Sequence, residues 1–316
     1  MTFTQNYAAA VVACEECGLV YRNPRPPSDA IVHAYKADQY DQTYLLAEFE
    51  TQCMWFRTKI PVLAQQLAVN AVEGHPRVLE IGSFVGAFLY EGQAAGWEMF
   101  GIDPGRDVTA FCRDRQLPVF RGTVQEAKLS PASFDAIVVW NTFDQLPDPH
   151  AFLSTSMPLL KDGGLFVIRV PHGSCFEWAM SIRRNLHSAL RTALDSALAW
   201  NNLLTFPYLY GYSIAQLSQL MAQYGFQLRT CFPDTLASAP FGHLRWWATL
   251  EECAVKVLCR VAASFSGGNT QRRFYTAPWL DIYFERACME KQTEPAGAAL
   301  GLLPVYGAYT LNHTDS

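Results

Sequence analysis

Charge is scarce in this chain. Of 316 residues only 17% are Asp, Glu, Lys or Arg, the net charge is −5, and half of the side chains are hydrophobic. So little basic surface excludes a general nucleic-acid binder or an anionic-membrane binder, because such partners need a cationic face that releases counterions. Long apolar runs are missing too: none approaches the roughly 18 to 20 residues that span a bilayer. The short stretch from Tyr7 to Ala13 has no basic flank ahead of it, which argues against a secretory leader. No internal repeat and no low-complexity tract appears, which sets aside solenoids and linkers. The nine cysteines sit at irregular spacings, several in apolar contexts. They make no secreted disulfide framework and suit buried thiols in a reducing compartment. The expectation is a cytoplasmic chain with a small-molecule ligand.

In the central block, short apolar runs alternate with helical patterns. Arg77 to Ile81 precedes Gly82 and an apolar helix around Ala87 to Ala95; Trp97 to Ile102 ends in Asp103, and Val108 to Asp114 reads as helix. Phe134 to Asn141 is a continuous apolar run, followed by a helix over Pro149 to Leu160, a turn at Lys161 to Gly164, and a strand over Leu165 to Val170. Strands buried on both faces look like this, and their alternation with helices predicts an α/β fold with a doubly wound, mainly parallel sheet. Beyond it, Ser213 to Tyr224 has helical spacing, Phe226 to Phe232 and Trp279 to Phe284 read as strands, and Leu244 to Val261 reads as a long helix.

The segment Val78 to Gly86 joins a strand to a helix, where open α/β sheets bind ligands. A dinucleotide fingerprint starting at Gly82 would need glycine where Phe84 stands, which disfavours a pyrophosphate cradle. Asp103 follows the next strand; there an acid accepts both ribose hydroxyls, or else caps the helix before Val108 or makes an Asx turn. With Glu80, Gly82 and Gly86 in the loop, Asp103 after it, and then Gly122-Thr123-Val124-Gln125, Asn141 and Lys161-Asp162-Gly163-Gly164, the series resembles the class I S-adenosylmethionine-dependent methyltransferases. The resemblance spans about Cys14 to Ala287 and implies a seven-stranded Rossmann-like sheet. It also implies cofactor contacts at Glu80, Gly82, Ser83, Gly86 and Asp103, an adenine border at Thr123, Val124 and Gln125, and Asn141 beneath the cofactor. Many relatives carry Glu-His where this chain has Asp144-Gln145, so a histidine base at that place is absent.

At the N-terminus, Cys14-Glu15-Glu16-Cys17-Gly18 resembles a bacterial subgroup in which this C-x-x-C is half of a zinc ribbon. A structural zinc site needs four ligands and no second C-x-x-C exists, so metal is not expected and the two thiols read as lying beside a turn. The following Tyr35 to Tyr44 stretch lies over the cofactor in that subgroup, which makes Tyr40 a contact; the alternative is a solvated turn. For catalysis His172, at the end of the fifth strand, is the first candidate and Asp144 the second. Tyr208, Tyr210 and Tyr212 either line the acceptor pocket or pack. A strict four-residue stripe, Ile182, Leu186, Leu190, Leu194 and Leu198, predicts one amphipathic helix that packs on the domain, covers the acceptor, or meets a second copy in a homodimer.

The expected division is 1–73 as N-terminal cover, 74–172 as S-adenosylmethionine-binding core, 173–212 as helical insertion or lid, 213–293 as completion of the fold, and 294–316 as a loose tail. The function implied is methyl transfer by in-line displacement to a small acceptor, a hydroxyl of a sugar or natural-product intermediate. Two alternatives stay open: a cofactor-binding scaffold without turnover, and an NAD(P)-dependent oxidoreductase, with which Phe84 conflicts.

Overall fold

Three strands open the chain in the computed structural model, which describes residues 2–6, 9–69, 75–203, 208–236, 246–265 and 276–286. They are β1 (Thr2–Asn6), β2 (Ala9–Ala13) and β3 (Val20–Asn23), paired antiparallel in sequence order. Helices α1 (Ser28–Lys36) and α2 (Gln42–Val69) follow. Cys53, Phe56, Ile60, Leu63 and Leu67 of α2 are buried. Their spacing of three and four puts them on one helix face, and that face shares an apolar cluster with Val78, Val138 and Tyr283 of the large sheet. Nothing in the motif series pointed to this helix.

The core runs β4 (Arg77–Ile81), α3 (Ala87–Ala94), β5 (Glu98–Asp103), α4 (Arg106–Asp114), β6 (Val119–Arg121), β7 (Phe134–Trp140), α5 (Pro149–Ser156) and β8 (Leu160–Pro171). Short 3-10 turns cover Phe143–Gln145 and Met157–Leu159. Every residue of β7 is buried, which explains its uninterrupted apolar reading. Then come α6 (Gly173–Arg183), α7 (Ser188–Trp200), β9 (Tyr210–Gly211), α8 (Ile214–Ala222), β10 (Phe226–Asp234), α9 (Trp246–Phe265) and β11 (Trp279–Arg286).

Seven strands form one sheet in the order β10-β11-β8-β7-β4-β5-β6, parallel except for β11, which runs against both neighbours. From β4 the chain steps outward through β5 to β6, then returns to lay β7 on the other side of β4. That reversal sets a topological switch point at the carboxyl ends of β4 and β7, the place where such sheets take ligands. β9 pairs with β3, so the N-terminal strands form a second, four-stranded sheet.

Two expectations need correction. The turn expected at Lys161 to Gly164 lies inside β8: pairing passes from Phe134↔Leu160 to Ala136↔Leu165, and the extra residues are absorbed as a ladder irregularity with Gly163 at φ +69°. The single helix expected through the leucine stripe is two helices, α6 and α7, divided at Arg184 to His187. A strict four-residue repeat precesses around a helix of 3.6 residues per turn, and Leu190 accordingly lies 59% exposed while Leu198 is buried. The tail expected from Glu294 lies outside the described residues.

Candidate functional site

The site begins at the loop after β4. Gly82 and Ser83 donate their backbone N–H groups to the Ile102 carbonyl at 2.8 and 3.2 Å, and Phe84 donates to Asp103 Oδ2 at 2.8 Å. These amides are turned onto the end of β5, so they form no phosphate cradle. Gly82 and Gly86 adopt φ +81° and +72°, a region that side chains rarely enter. Space also forbids a side chain: a Cβ on Gly82 would sit 2.2 Å from Thr142 Oγ1, and one on Gly86 2.8 Å from Cys112 Sγ. The loop can therefore press directly on the turn after β7 and on α4.

Asp103 spends one contact of each carboxylate oxygen on backbone, Oδ2 on Phe84 and Oδ1 on Gly105, both at 2.8 Å. Burial outweighs these two bonds and pushes its pKa up to about 6. The turn alternative is thus realised in part, while each oxygen keeps a further lone pair. Glu80 is 2% exposed, and its Oε2 has no partner among the described residues. Burial holds this carboxyl well above its usual range, opposed by the Ser83 hydroxyl and assisted by the charge of Asp103. Two acids in one desolvated corner favour a ligand that brings positive charge.

Over this corner lies the α1–α2 junction. Tyr40 meets Phe84 edge to face at 5.7 Å and stacks on Tyr44 at 5.6 Å. Asp38 accepts from the N–H groups of Arg106, Asp107 and Val108 at 2.6 to 3.2 Å, capping α4, whose own N-cap, Gly105, has no side chain to do so. Tyr35 donates its hydroxyl to Gln145 Oε1, and Gln145 donates to the Asn141 carbonyl at 2.6 Å. Burial and then the charges of Asp144, Tyr208, Tyr40 and Asp103 push the Tyr35 phenol up to about 12. These five residues are therefore electrostatic neighbours.

Asp144 is 1% exposed on the turn after β7, and neither side-chain oxygen has a partner among the described residues. Burial raises it to about 8. His172 is buried at the end of β8, its Nδ1 3.2 Å from the Ala277 carbonyl oxygen. That contact favours the tautomer with hydrogen on Nδ1.

The remaining candidates scatter. Thr123 donates its N–H to Glu126 Oε2 at 2.6 Å, Val124 is buried in the core and Gln125 is exposed. Tyr208 is 41% exposed. Tyr210 is tied into the small sheet opposite Tyr21 and to Arg25, whereas Tyr212 packs on Phe143 at 5.5 Å. Cys14 and Cys17 flank a turn closed by Gly18 N–H to the Cys14 carbonyl at 2.9 Å. Among the described residues no group of three or more metal-ligating side chains occurs.

The motif series missed a buried charge network. Arg169 donates to Asn141 Oδ1 at 2.8 Å, Asp234 at 2.7 Å, Asp281 at 2.6 Å and the Thr235 carbonyl at 2.8 Å. Lys59 reaches the same two aspartates at 2.6 and 2.5 Å. Burial alone would raise Asp234, but the charges of Arg169 and Lys59 hold it below its usual range. A signal was present: Arg169 and Asp281 are opposite charges inside the otherwise apolar runs Leu165 to Val170 and Trp279 to Phe284, and they stand directly across the β8–β11 ladder.

Residues 55–230 match the family described as methyltransferase domain. Uncharacterized proteins of Mycobacterium bovis and Mycobacterium tuberculosis are each 31% identical over 173 residues, 53% of this chain and 54% of theirs. The chain thus spans about half the length of the curated relatives it matches. Similar solved structures include the plantazolicin methyltransferase BpumL in complex with SAH, at 12% identity and TM-score 0.49 over 82% of this chain and 95% of that one. A SAM-dependent methyltransferase from Archaeoglobus fulgidus shows 18% identity and TM-score 0.47, over 78% of this chain and all of that one.

Proposed function

Because the chain belongs to the methyltransferase-domain family, we propose that it transfers a methyl group from S-adenosylmethionine to a hydroxyl of a small-molecule acceptor. The observation that carries this reading is the acidic corner beside a glycine loop whose amides are already spent: Glu80 Oε2 is buried without a partner among the described residues and Asp103 retains lone pairs. That set of acceptors suits a cationic nucleoside and not a pyrophosphate. Bound S-adenosylmethionine supplies a methyl group already activated by its sulfonium.

In this reading Asp103 accepts the ribose hydroxyls, Glu80 meets the positively charged amino-acid end, and Gly82, Ser83 and Gly86 let the backbone approach. Thr123, Val124 and Gln125 border the adenine, Asn141 supports the cofactor from below, and Tyr40 covers it. Little else is needed beyond alignment of nucleophile and methyl with water excluded. Asp144, neutral up to about pH 8, orients the acceptor as a hydrogen-bond partner. His172 takes the acceptor proton. Tyr208 contacts the acceptor, and Tyr210 and Tyr212 set the wall behind it.

Titration calorimetry of the whole chain tests the cofactor half. Binding of S-adenosylmethionine with none of NADPH is expected, and the reverse would remove the reading. Transfer of radiolabelled methyl to an acceptor panel tests turnover; cofactor binding without transfer across a complete panel would mark a scaffold instead.

A further inference from the structure

A groove of about 580 Å³ lies between α6, α7 and α9, within the roughly 300–1,000 Å³ typical of small-molecule pockets. One wall is the α7 face carrying Ala189, Ala193 and Ala197; the other is Val255, Leu258 and Ala262 of α9. Trp178 and Leu258, 40% and 66% exposed, stand at its mouth.

Thr192, Ser196 and Asn201 of its lining are engaged by the protein itself. Thr192 donates to the Ser188 carbonyl at 3.1 Å, and Ser196 donates to Glu251. Asn201 donates to the Ala197 carbonyl at 2.9 Å and accepts from Leu236 N–H at 3.2 Å. Burial pushes the Cys175 thiol up to about 12 and raises Cys259 as well, so both present uncharged, polarizable sulfur. Glu251, the one charged residue among the described lining, is exposed. A sugar or nucleoside buried here would lose water without gaining partners, whereas an alkyl chain would lose nothing.

The groove also touches the reaction edge of the sheet. Thr276 and Pro278 of its lining bracket Ala277, whose carbonyl lies against His172 Nδ1. Trp279 donates its ring N–H to the carbonyl of Asn201, another lining residue, at 2.9 Å.

We propose that this groove holds the aliphatic chain of an amphipathic acceptor, whose polar end is methylated at the neighbouring sheet edge. The assignment of the acceptor rests on the methyl-transfer reading; the binding of an alkyl chain does not. The probe is cis-parinaric acid, a fluorescent fatty acid, titrated into the full chain, with S-adenosylmethionine affinity measured in parallel by calorimetry. Saturable binding is expected in the parent. Ala197→Phe, which fills the groove, and Leu258→Asp, which charges its exposed rim, should each weaken the probe at least about tenfold while leaving cofactor affinity unchanged. No saturable binding in the parent, or parent-like binding in both folded variants, overturns the proposal. So does a parent that sediments as a dimer and is dissociated by Leu258→Asp, because the groove would then be an interface. Probe binding that responds to both variants, in a chain without cofactor affinity, keeps the groove and removes the methyl-transfer reading.

Discussion

Arg169 and Asn141 are joined side chain to side chain, Nε to Oδ1 at 2.8 Å, across the carboxyl ends of β8 and β7. Asn141 holds φ +54°, and its neighbour Thr142 abuts Gly82. The guanidinium lies over Trp55 at 4.3 Å and Trp279 at 5.0 Å. A buried cation on one strand therefore fixes the turn against which the ligand loop is pressed.

Arg169→Met should destabilise the fold by about 3–5 kcal/mol, because it leaves Asp234 and Asp281 with too little compensating charge in the interior. Arg169→Lys keeps a charge near the aspartates but not the reach to Asn141. It should retain more stability than Arg169→Met while weakening cofactor binding. Urea denaturation beside calorimetry separates the two effects; unchanged cofactor affinity in the lysine variant would detach Asn141 from the site.

Asp103→Asn should weaken S-adenosylmethionine binding by roughly ten- to a hundredfold, the worth of hydrogen bonds to a charged acceptor. In the parent, affinity should be level above pH 6 and drop by about tenfold per unit below it, since the carboxyl protonates near 6. The asparagine variant should lose that dependence. A parent affinity flat between pH 5 and 7 would count against Asp103 as a ligand.

Asp144 sets a different pH dependence, on stability. Its folded pKa of about 8 lies above the ordinary value near 3.9. The folded state therefore holds a proton that the unfolded state has released, and stability must fall as pH rises from about 4 to 8. Asp144→Asn removes that slope, so the variant should gain on the order of 1–3 kcal/mol over the parent at pH 8 and little at pH 4. Parallel stability curves would mean that the carboxyl is solvated.

Gly82→Ala should cost about 2–4 kcal/mol, summing the left-handed backbone and the collision with Thr142. In a Thr142→Ala background the same change should cost less, since the 2.2 Å collision with Oγ1 is gone and only the backbone part and a 3.0 Å contact with the residue-142 Cβ remain. Thermal melts of the four proteins test this, and equal costs in both backgrounds would show that the turn after β7 yields freely.

His172→Ala should lower turnover far more than cofactor affinity, by about a hundredfold or more if the imidazole accepts the acceptor proton. Wild-type turnover in this variant would leave alignment alone, or Asp144, to account for transfer.

The parallel core was legible because strands buried on both faces write continuous apolar runs, as Phe134 to Trp140 does. The glycines at 82 and 86 were legible as well, since a positive φ at both positions fixes their residue type, and Asp103 stood at the end of the next apolar run. What spans long sequence separation was not. β9 is only two residues long, and its pairing with β3 joins Val20 to Gly211. The break between α6 and α7 has neither glycine nor proline to announce it. Arg169 is the one charge in the run Leu165 to Val170, yet its bond to Asp281 spans 112 positions. Its partners could be named only once the β8–β11 register was known.

The amides of Arg106, Asp107 and Val108 are satisfied by Asp38, a side chain that belongs to the tyrosine-bearing cover. If that cover swings away to admit or release ligand, the first turn of α4 loses its acceptor in the same event and its amides meet water. Hydrogen exchange at those three amides would then report cover opening from the helix it caps, and ligand that seals the cover would slow exchange there without touching them.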